Sequence, residues 1–200
     1  MDIFTLLGGV PSKVLGITRT LMHDIEVEDH AEALLEYKNG ACGYFYVSTC
    51  ECGPGNLMEF VGDKAKMRMT DSGLHVYEYK GGVENFSKTN KSMWGAPETR
   101  ELEIKLPECR SGHGEIVRNW AGVILGRKGE VLVSPGAEGI RSLELADAIQ
   151  LSSWIGEQVS IPVNRRLYDQ ELQKRRDKSC YRQKMEKIEN KRITDPQLGK

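Results

Sequence analysis

The sequence predicts an α+β fold, a mainly antiparallel and open-faced β-sheet with helices packed on one face. Two observations predict it. Apolar residues alternate with period two through the first part of the chain, up to Leu106, and recur with a period near 3.6 from His113 onward. The alternating runs are also joined by short turn sequences, so neighbouring strands pair antiparallel without crossovers.

The elements follow in order. "MDIFTLLGG" reads as the end of a helix, with Ile3, Leu6 and Leu7 on one face and Gly8-Gly9 as its stop. "KVLGITRTLM" is a strand ending near His23. "HAEALLEYKNGACGYFYVST" is a hairpin turning at Asn39-Gly40, a pair that accepts the positive φ a tight turn needs. "NLMEFVGDKAKMRMTDSGLHVYEY" gives three short strands turning at "GDK" and "DSG", and "GGVENFSKTNKSMWGAPET" reads as a loop. "RELEIKL" is the last strand, with Leu102, Ile104 and Leu106 on one face.

Helices come next. "HGEIVRNWAGVILG" sets Ile116, Val117, Trp120, Val123 and Ile124 on one face. "SPGAEGIRSLELADAIQLSSWIG" starts with Ser134 as N-cap and Pro135 in the first turn. Its expected buried stripe is Gly139, Leu143, Ala146, Ile149 and Ser153, small enough for close packing. "VSIPVN" is extended and "RLYDQELQKRR" opens a final helix. The expected division is a domain over 1–172 and a basic, partly helical or disordered tail over 173–200.

The register of "ACGYFYVST" places Ala41, Gly43, Phe45 and Val47 on one side and Cys42, Tyr44, Tyr46 and Ser48 on the other. Both sides are apolar, whereas a sheet covered by helices on one side alone presents a polar outer face. Tyr44 and Tyr46 are therefore expected at an oligomer interface, the alternative being a second layer supplied by the chain's own loops.

The 200 residues are 39% hydrophobic and 28% charged, with a formal net charge of −1, which gives no electrostatic reason to expect nucleic acid or a membrane as partner. From Asp169 to Lys200 ten basic residues stand against six acidic ones. This basic tail lacks aromatic interleaving beyond Tyr181 and matches no nucleic-acid motif. Five cysteines (Cys42, Cys50, Cys52, Cys109 and Cys180), no signal peptide and no membrane-length apolar run point to a reducing, cytoplasmic setting. The "CEC" pair at 50–52 has no second Cys/His pair at matching spacing, so no metal site is expected. His23, His30 and His75 have no carboxylate or cysteine at metal or triad spacing and read as structural. His113, between Gly112 and Gly114 at a helix start, is a candidate for contact with a polar ligand. "GHGEIV" lacks the third glycine of a dinucleotide-binding loop and follows no strand, and no P-loop or nucleophile elbow is present. No catalytic residue is assigned.

In their order and spacing, "LLGGVPSKV", "VEDHAEALLEYKNGACGYFYVST", "PGNLMEFVGDKAKM", "HGEIVRNWAGVILG" and "GAEGIRSLELADAIQLSSWIGEQVSIPV" resemble the C-terminal domain of the Gfo/Idh/MocA oxidoreductases, the family of glucose–fructose oxidoreductase and inositol dehydrogenase. The resemblance runs from about residue 1 to about residue 172. Ala65 departs from it, standing where the family commonly has glycine. The resemblance implies an open-faced sheet that forms part of a sugar or polyol site and a dimer interface. It also implies a separate N-terminal Rossmann domain that binds NAD or NADP and supplies a catalytic lysine. Asp2 resembles the aspartate that follows the family's catalytic histidine in an H-x-x-D helix, which would put that histidine before Met1. The expectation is thus the substrate-binding and oligomerisation part of an NAD(P)-dependent sugar or polyol oxidoreductase, binding no cofactor and inactive alone. The alternative is a non-catalytic scaffold or regulatory subunit. Asn56, in the loop after "CEC", and His113 fall where family members approach substrate.

Overall fold

The computed structural model describes residues 1–53, 55–105 and 112–180. In chain order it contains α1 (Asp2–Gly8), β1 (Lys13–Arg19), β2 (His30–Glu36), β3 (Cys42–Ser48), β4 (Leu57–Val61), β5 (Ala65–Thr70), β6 (Gly73–Tyr79) and α2 (Val83–Thr89). There follow β7 (Thr99–Leu102), α3 (His113–Ile124), a 3-10 turn at Gly136–Glu138, α4 (Gly139–Ile155), β8 (Val159–Ser160) and α5 (Arg165–Arg176). The strands form two four-stranded sheets, β3-β2-β1-β8 and β4-β5-β6-β7, antiparallel at every pairing. The expected α+β class holds, with the strands divided between two sheets. The chain separates into two compact units: Met1–Thr5, Gly9–Glu51 and Gly139–Lys200 in one, Leu6–Gly8 and Cys52–Glu138 in the other.

In the first unit the Asn39-Gly40 hairpin forms as the sequence predicts. Tyr37 N–H donates to the Ala41 carbonyl at 2.9 Å, Gly40 takes φ 85°, and the Asn39 side chain accepts from Ala41 N–H at 3.1 Å. The resulting register pairs Val14 with Leu35 and Leu35 with Gly43, so Val14, Gly16, Ala33, Leu35 and Phe45 share one face. Helix α4 lies on that face, and Val14, Ala33 and Leu35 join Leu145, Ala148, Ile149, Leu151 and Val163 in the buried core.

Helix and sheet meet almost backbone to backbone. A Cβ built on Gly16 would lie 2.6 Å from the Ile149 carbonyl oxygen and 2.9 Å from its Cα, so only glycine fits there. β8 pairs with Lys13 and Val14 alone, which leaves the rest of that edge of β1 without a strand. The serines of α4 complete the edge. Ser152 Oγ accepts from Gly16 N–H at 2.9 Å and donates to the Glu157 carbonyl at 2.6 Å, and Ser153 Oγ accepts from Thr18 N–H at 2.9 Å.

The buried stripe of α4 is Leu145, Ala148, Ile149 and Ser152, with Leu151 beside it. This corrects the expected Gly139–Leu143–Ala146–Ile149–Ser153 stripe, of which Leu143 is 63% exposed. Apolar residues lie all round α4, so periodicity alone did not fix its face. Ser134-Pro135 precedes the 3-10 turn, where Glu138 N–H donates to the Pro135 carbonyl at 2.9 Å, and the α-helix proper begins at Gly139. α5 starts on an Asn164 cap whose side chain accepts from Leu167 N–H. It packs on α4 through Trp154 and Tyr168, ring centroids 5.1 Å apart, with the Arg175 guanidinium 4.2 Å from the Trp154 ring. α5 continues past residue 172 to Arg176; residues 181–200 of the expected tail lie outside the described residues.

The second unit holds the β4–β7 meander, α2 and α3. α2 corrects the reading of 81–99 as a loop throughout. Its N-terminus is held by Asp63 from the "GDK" turn, which accepts from Glu84 N–H at its carboxylate (2.7 Å) and from Val83 N–H at its carbonyl (2.9 Å). A cap some twenty residues away leaves no local signal in the sequence. β7 covers the first part of the "RELEIKL" run, and Leu106 lies outside the described residues. α3 forms as expected, but its apolar residues Ile116, Val117, Trp120 and Ile124 are exposed.

Candidate functional site

The uncovered face of the first sheet carries Leu15, Ile17, Leu34, Tyr44 and Tyr46, each exposed despite its apolar body, Tyr44 at 56%. The strand register places them on one side, opposite the residues that meet α4. Tyr44 and Tyr46, singled out by sequence, therefore share a face and belong to a wider apolar surface. The polar atoms on it are partly tied. Tyr44 donates to Glu32 at 2.8 Å, which holds its phenol above the ordinary range, and the His30 ring meets Tyr46 edge-on at 5.4 Å.

At one end of this sheet the segment between β1 and β2 folds around Asp29. The buried Asp29 carboxylate accepts from the N–H groups of Leu21 (2.7 Å), Met22 (3.0 Å) and His23 (3.0 Å), and lies 3.0 Å from His23 Nδ1. The Asp29 carbonyl accepts from Thr49 N–H at 2.9 Å and from the Cys50 thiol at 3.7 Å. These bonds, that from His23 N–H foremost, hold the Asp29 carboxyl far below the usual carboxylate range against the opposing cost of burial. Burial pushes the Cys50 thiol upward. A cleft of about 450 Å³ opens here, its surface mainly apolar, with Thr18, His23, Asp29, His30 and Gln150 among its polar members. Behind it Tyr168 donates to Gln150 at 2.6 Å and Gln150 to Glu28 at 2.5 Å; burial, more than the nearby Asp147, pushes the Tyr168 phenol up to about 12.

Two readings of the histidines change. His23 has both a carboxylate and a cysteine beside it, although no local spacing announces them. His75 Nδ1 sits 2.8 Å from Glu101, which lies diagonally across the β6–β7 pairing as the partner of Tyr77.

The two sequence-predicted ligand contacts lie in the second unit and are not brought together. The Asn56 amide donates to Asp71 at 3.0 Å, and both residues line an open cleft of about 370 Å³ with Arg68 and Thr70. His113 is the exposed first residue of α3, after Gly112 at φ 95°, and does not line that cleft.

The described residues do not fit a dinucleotide. Both sheets are antiparallel, α3 follows no parallel strand, and no glycine-rich strand-to-helix turn cradles a pyrophosphate. Among the described residues no helix is long and apolar enough to cross a membrane.

An antiparallel sheet with a long helix on one face and an open apolar face on the other defines an open-faced α+β domain. Residues 2–68 match the model of the GFO/IDH/MocA C-terminal domain. A comparison with curated proteins gives no match to the sequence. Among solved structures, the chain is similar to the WlbA dehydrogenase from Bordetella pertussis in complex with NADH and UDP-GlcNAcA. Identity is 23% and the TM-score 0.56 over 82% of this chain and 44% of that one. The UDP-N-acetylglucosamine 3-dehydrogenase GnnA from Acidithiobacillus ferrooxidans is similar at 18% identity and TM-score 0.55, over 76% and 45%. An oxidoreductase from Agrobacterium radiobacter in complex with NAD+, L-tartaric acid and magnesium gives 20% and 0.53, over 80% and 46%. The chain thus resembles the Gfo/Idh/MocA C-terminal domain in sequence over residues 2–68 and in fold over about four fifths of its length. It spans less than half the length of these structures.

Proposed function

We propose that this chain is the substrate-binding and subunit-association part of an NAD(P)-dependent oxidoreductase acting on a sugar or polyol. The observation that carries the proposal is the fold shared over 82% of the chain with a dehydrogenase bound to NADH and UDP-GlcNAcA, together with the family match over residues 2–68. In this reading residues 1–172 act as the substrate and oligomerisation domain, and 173–200 as an appended basic tail. Asn56 and His113 orient hydroxyls of the ligand. Asn56 keeps its amide oxygen as an acceptor while its NH2 is held by Asp71, and His113 projects from the start of α3. Leu34, Tyr44 and Tyr46 meet a second copy of the chain. The nicotinamide is held by a separate nucleotide-binding domain, so the 200 residues neither bind it nor turn substrate over unaided.

Calorimetric titration of the purified chain tests this. UDP-GlcNAcA is expected to bind, weakly and with loss of affinity in His113→Ala and Asn56→Ala, whereas NADH and NADPH give no heat of binding. Tight NADH binding, or UDP-sugar binding indifferent to both substitutions, would overturn the assignment.

A further inference from the structure

We propose that His23, Asp29 and Cys50 form a binding site for a divalent transition-metal ion, zinc foremost, at the end of the β1–β2–β3 sheet. The inference does not depend on the oxidoreductase reading.

One ligand atom from each of the three side chains, a ring nitrogen, a carboxylate oxygen and a thiol sulfur, lies within 4.8 Å of the other two. Around a tetrahedral zinc, Zn–N, Zn–O and Zn–S bonds of about 2.0–2.3 Å put ligand atoms roughly 3.3–3.7 Å apart. The His23 Nδ1 to Asp29 Oδ2 distance is already 3.0 Å. The sulfur needs at most about 1 Å of adjustment to reach those ligand separations. Rotation of the half-buried Cys50 side chain supplies that adjustment towards the fixed Asp29, and His23, with 49% of its side chain exposed, follows the ion.

The fixing of Asp29 is what separates this group from a chance cluster of surface acids. Three backbone N–H groups and full side-chain burial hold the carboxylate in one orientation, so a ligand is ordered before any ion arrives. The sheet register then delivers the other partner. Thr49 N–H bonds the Asp29 carbonyl, which sets Cys50 beside it, half-buried and with its thiol on the same carbonyl. A mixed nitrogen, oxygen and sulfur set suits zinc and its cobalt surrogate and disfavours magnesium and calcium, which take oxygen ligands. The exposed side of His23 leaves the fourth position open to water.

The protons balance. A neutral imidazole coordinates through one ring nitrogen and keeps its single proton on the other. Asp29 is already ionised. The Cys50 S–H proton is the one released to solvent as the metal–sulfur bond forms.

Cobalt(II) titration into the chelator-treated full chain, followed by absorption, tests the site. The expected result is one equivalent bound, with a thiolate-to-cobalt charge-transfer band in the near ultraviolet and tetrahedral bands in the visible, all removed by one equivalent of zinc. Cys50→Ser is expected to abolish the charge-transfer band and His23→Ala to weaken binding at least tenfold. Cys52→Ser and Cys42→Ser leave the spectrum unchanged, and circular dichroism confirms that each variant is folded. No cobalt–thiolate band in the wild-type chain, or a band that survives Cys50→Ser, would overturn the proposal.

Discussion

Gly16→Ala is the sharpest test of how this fold is held. The added methyl carbon would sit 2.6 Å from the Ile149 carbonyl oxygen and 2.9 Å from Ile149 Cα, well inside contact distance. Both obstacles are helix backbone, so no side-chain rotation relieves them, and α4 must lift from β1. Overpacking of a tight core costs about 1–3 kcal/mol, and rigid backbone obstacles place this case at the upper end. Lifting α4 also strains the bond from Gly16 N–H to Ser152, whose loss leaves a buried donor unsatisfied at a further cost of about 1–3 kcal/mol. The expected destabilisation is therefore about 4–6 kcal/mol. The assay is urea unfolding followed by Trp154 fluorescence in a Trp94→Phe/Trp120→Phe background, so that the signal comes from the unit containing α4. Gly43→Ala is the matched control, because its Cβ would meet Leu35 and Tyr37 side chains at ordinary distances of 3.6 Å. A Gly16→Ala midpoint indistinguishable from that control would refute the backbone-contact account.

Three more predictions rest on the same unit and on the ligand contacts. Ser152→Ala removes the acceptor for Gly16 N–H and is expected to cost about 1–3 kcal/mol in the same urea assay, with Ser153→Ala costing less because its site is only half-buried. Asp29 has a folded-state carboxyl well below its unfolded value of about 3.9, so its stabilisation is complete above that value and fades as the pH falls below it. Thermal melts from neutral pH downward should show wild-type stability falling in acid and a shallower fall in Asp29→Asn. His113→Ala and Asn56→Ala are each expected to weaken UDP-sugar binding several-fold in calorimetry while leaving the melting temperature near that of wild type, since His113 is exposed and Asn56 bonds only an exposed loop.

Much of this architecture was legible because it is written locally. Asn39-Gly40 fixes a hairpin wherever it stands between alternating runs, and the two-sided apolar pattern of β3 foretold a face that α4 does not cover. Close packing of α4 was expected from Gly139, Ala146 and Ser153, but the contact that delivers it is Gly16 of β1 against the Ile149 backbone. What escaped is written over distance. α2 is capped by Asp63, outside its own segment. The face of α4 is chosen by Gly16 and the open edge of β1, which no period within α4 encodes. The strands divide between two sheets that alternation alone does not separate. His23 meets Cys50 only because the register of β2 and β3 sets Asp29 beside Thr49, while "CEC" draws the eye to spacing along the chain. Asn56 stands out only through the resemblance and His113 also through its place at a helix start, and no cleft in the described residues joins them.

The apolar face carrying Leu34, Tyr44 and Tyr46 joins the fold to the proposed role in subunit association. Sedimentation velocity on the wild-type chain and on Leu34→Glu/Tyr44→Glu measures it directly. A wild-type dimer at micromolar concentration and a monomeric, fully folded variant are expected. A monomeric wild type, or a variant that dimerises unchanged, would contradict that role.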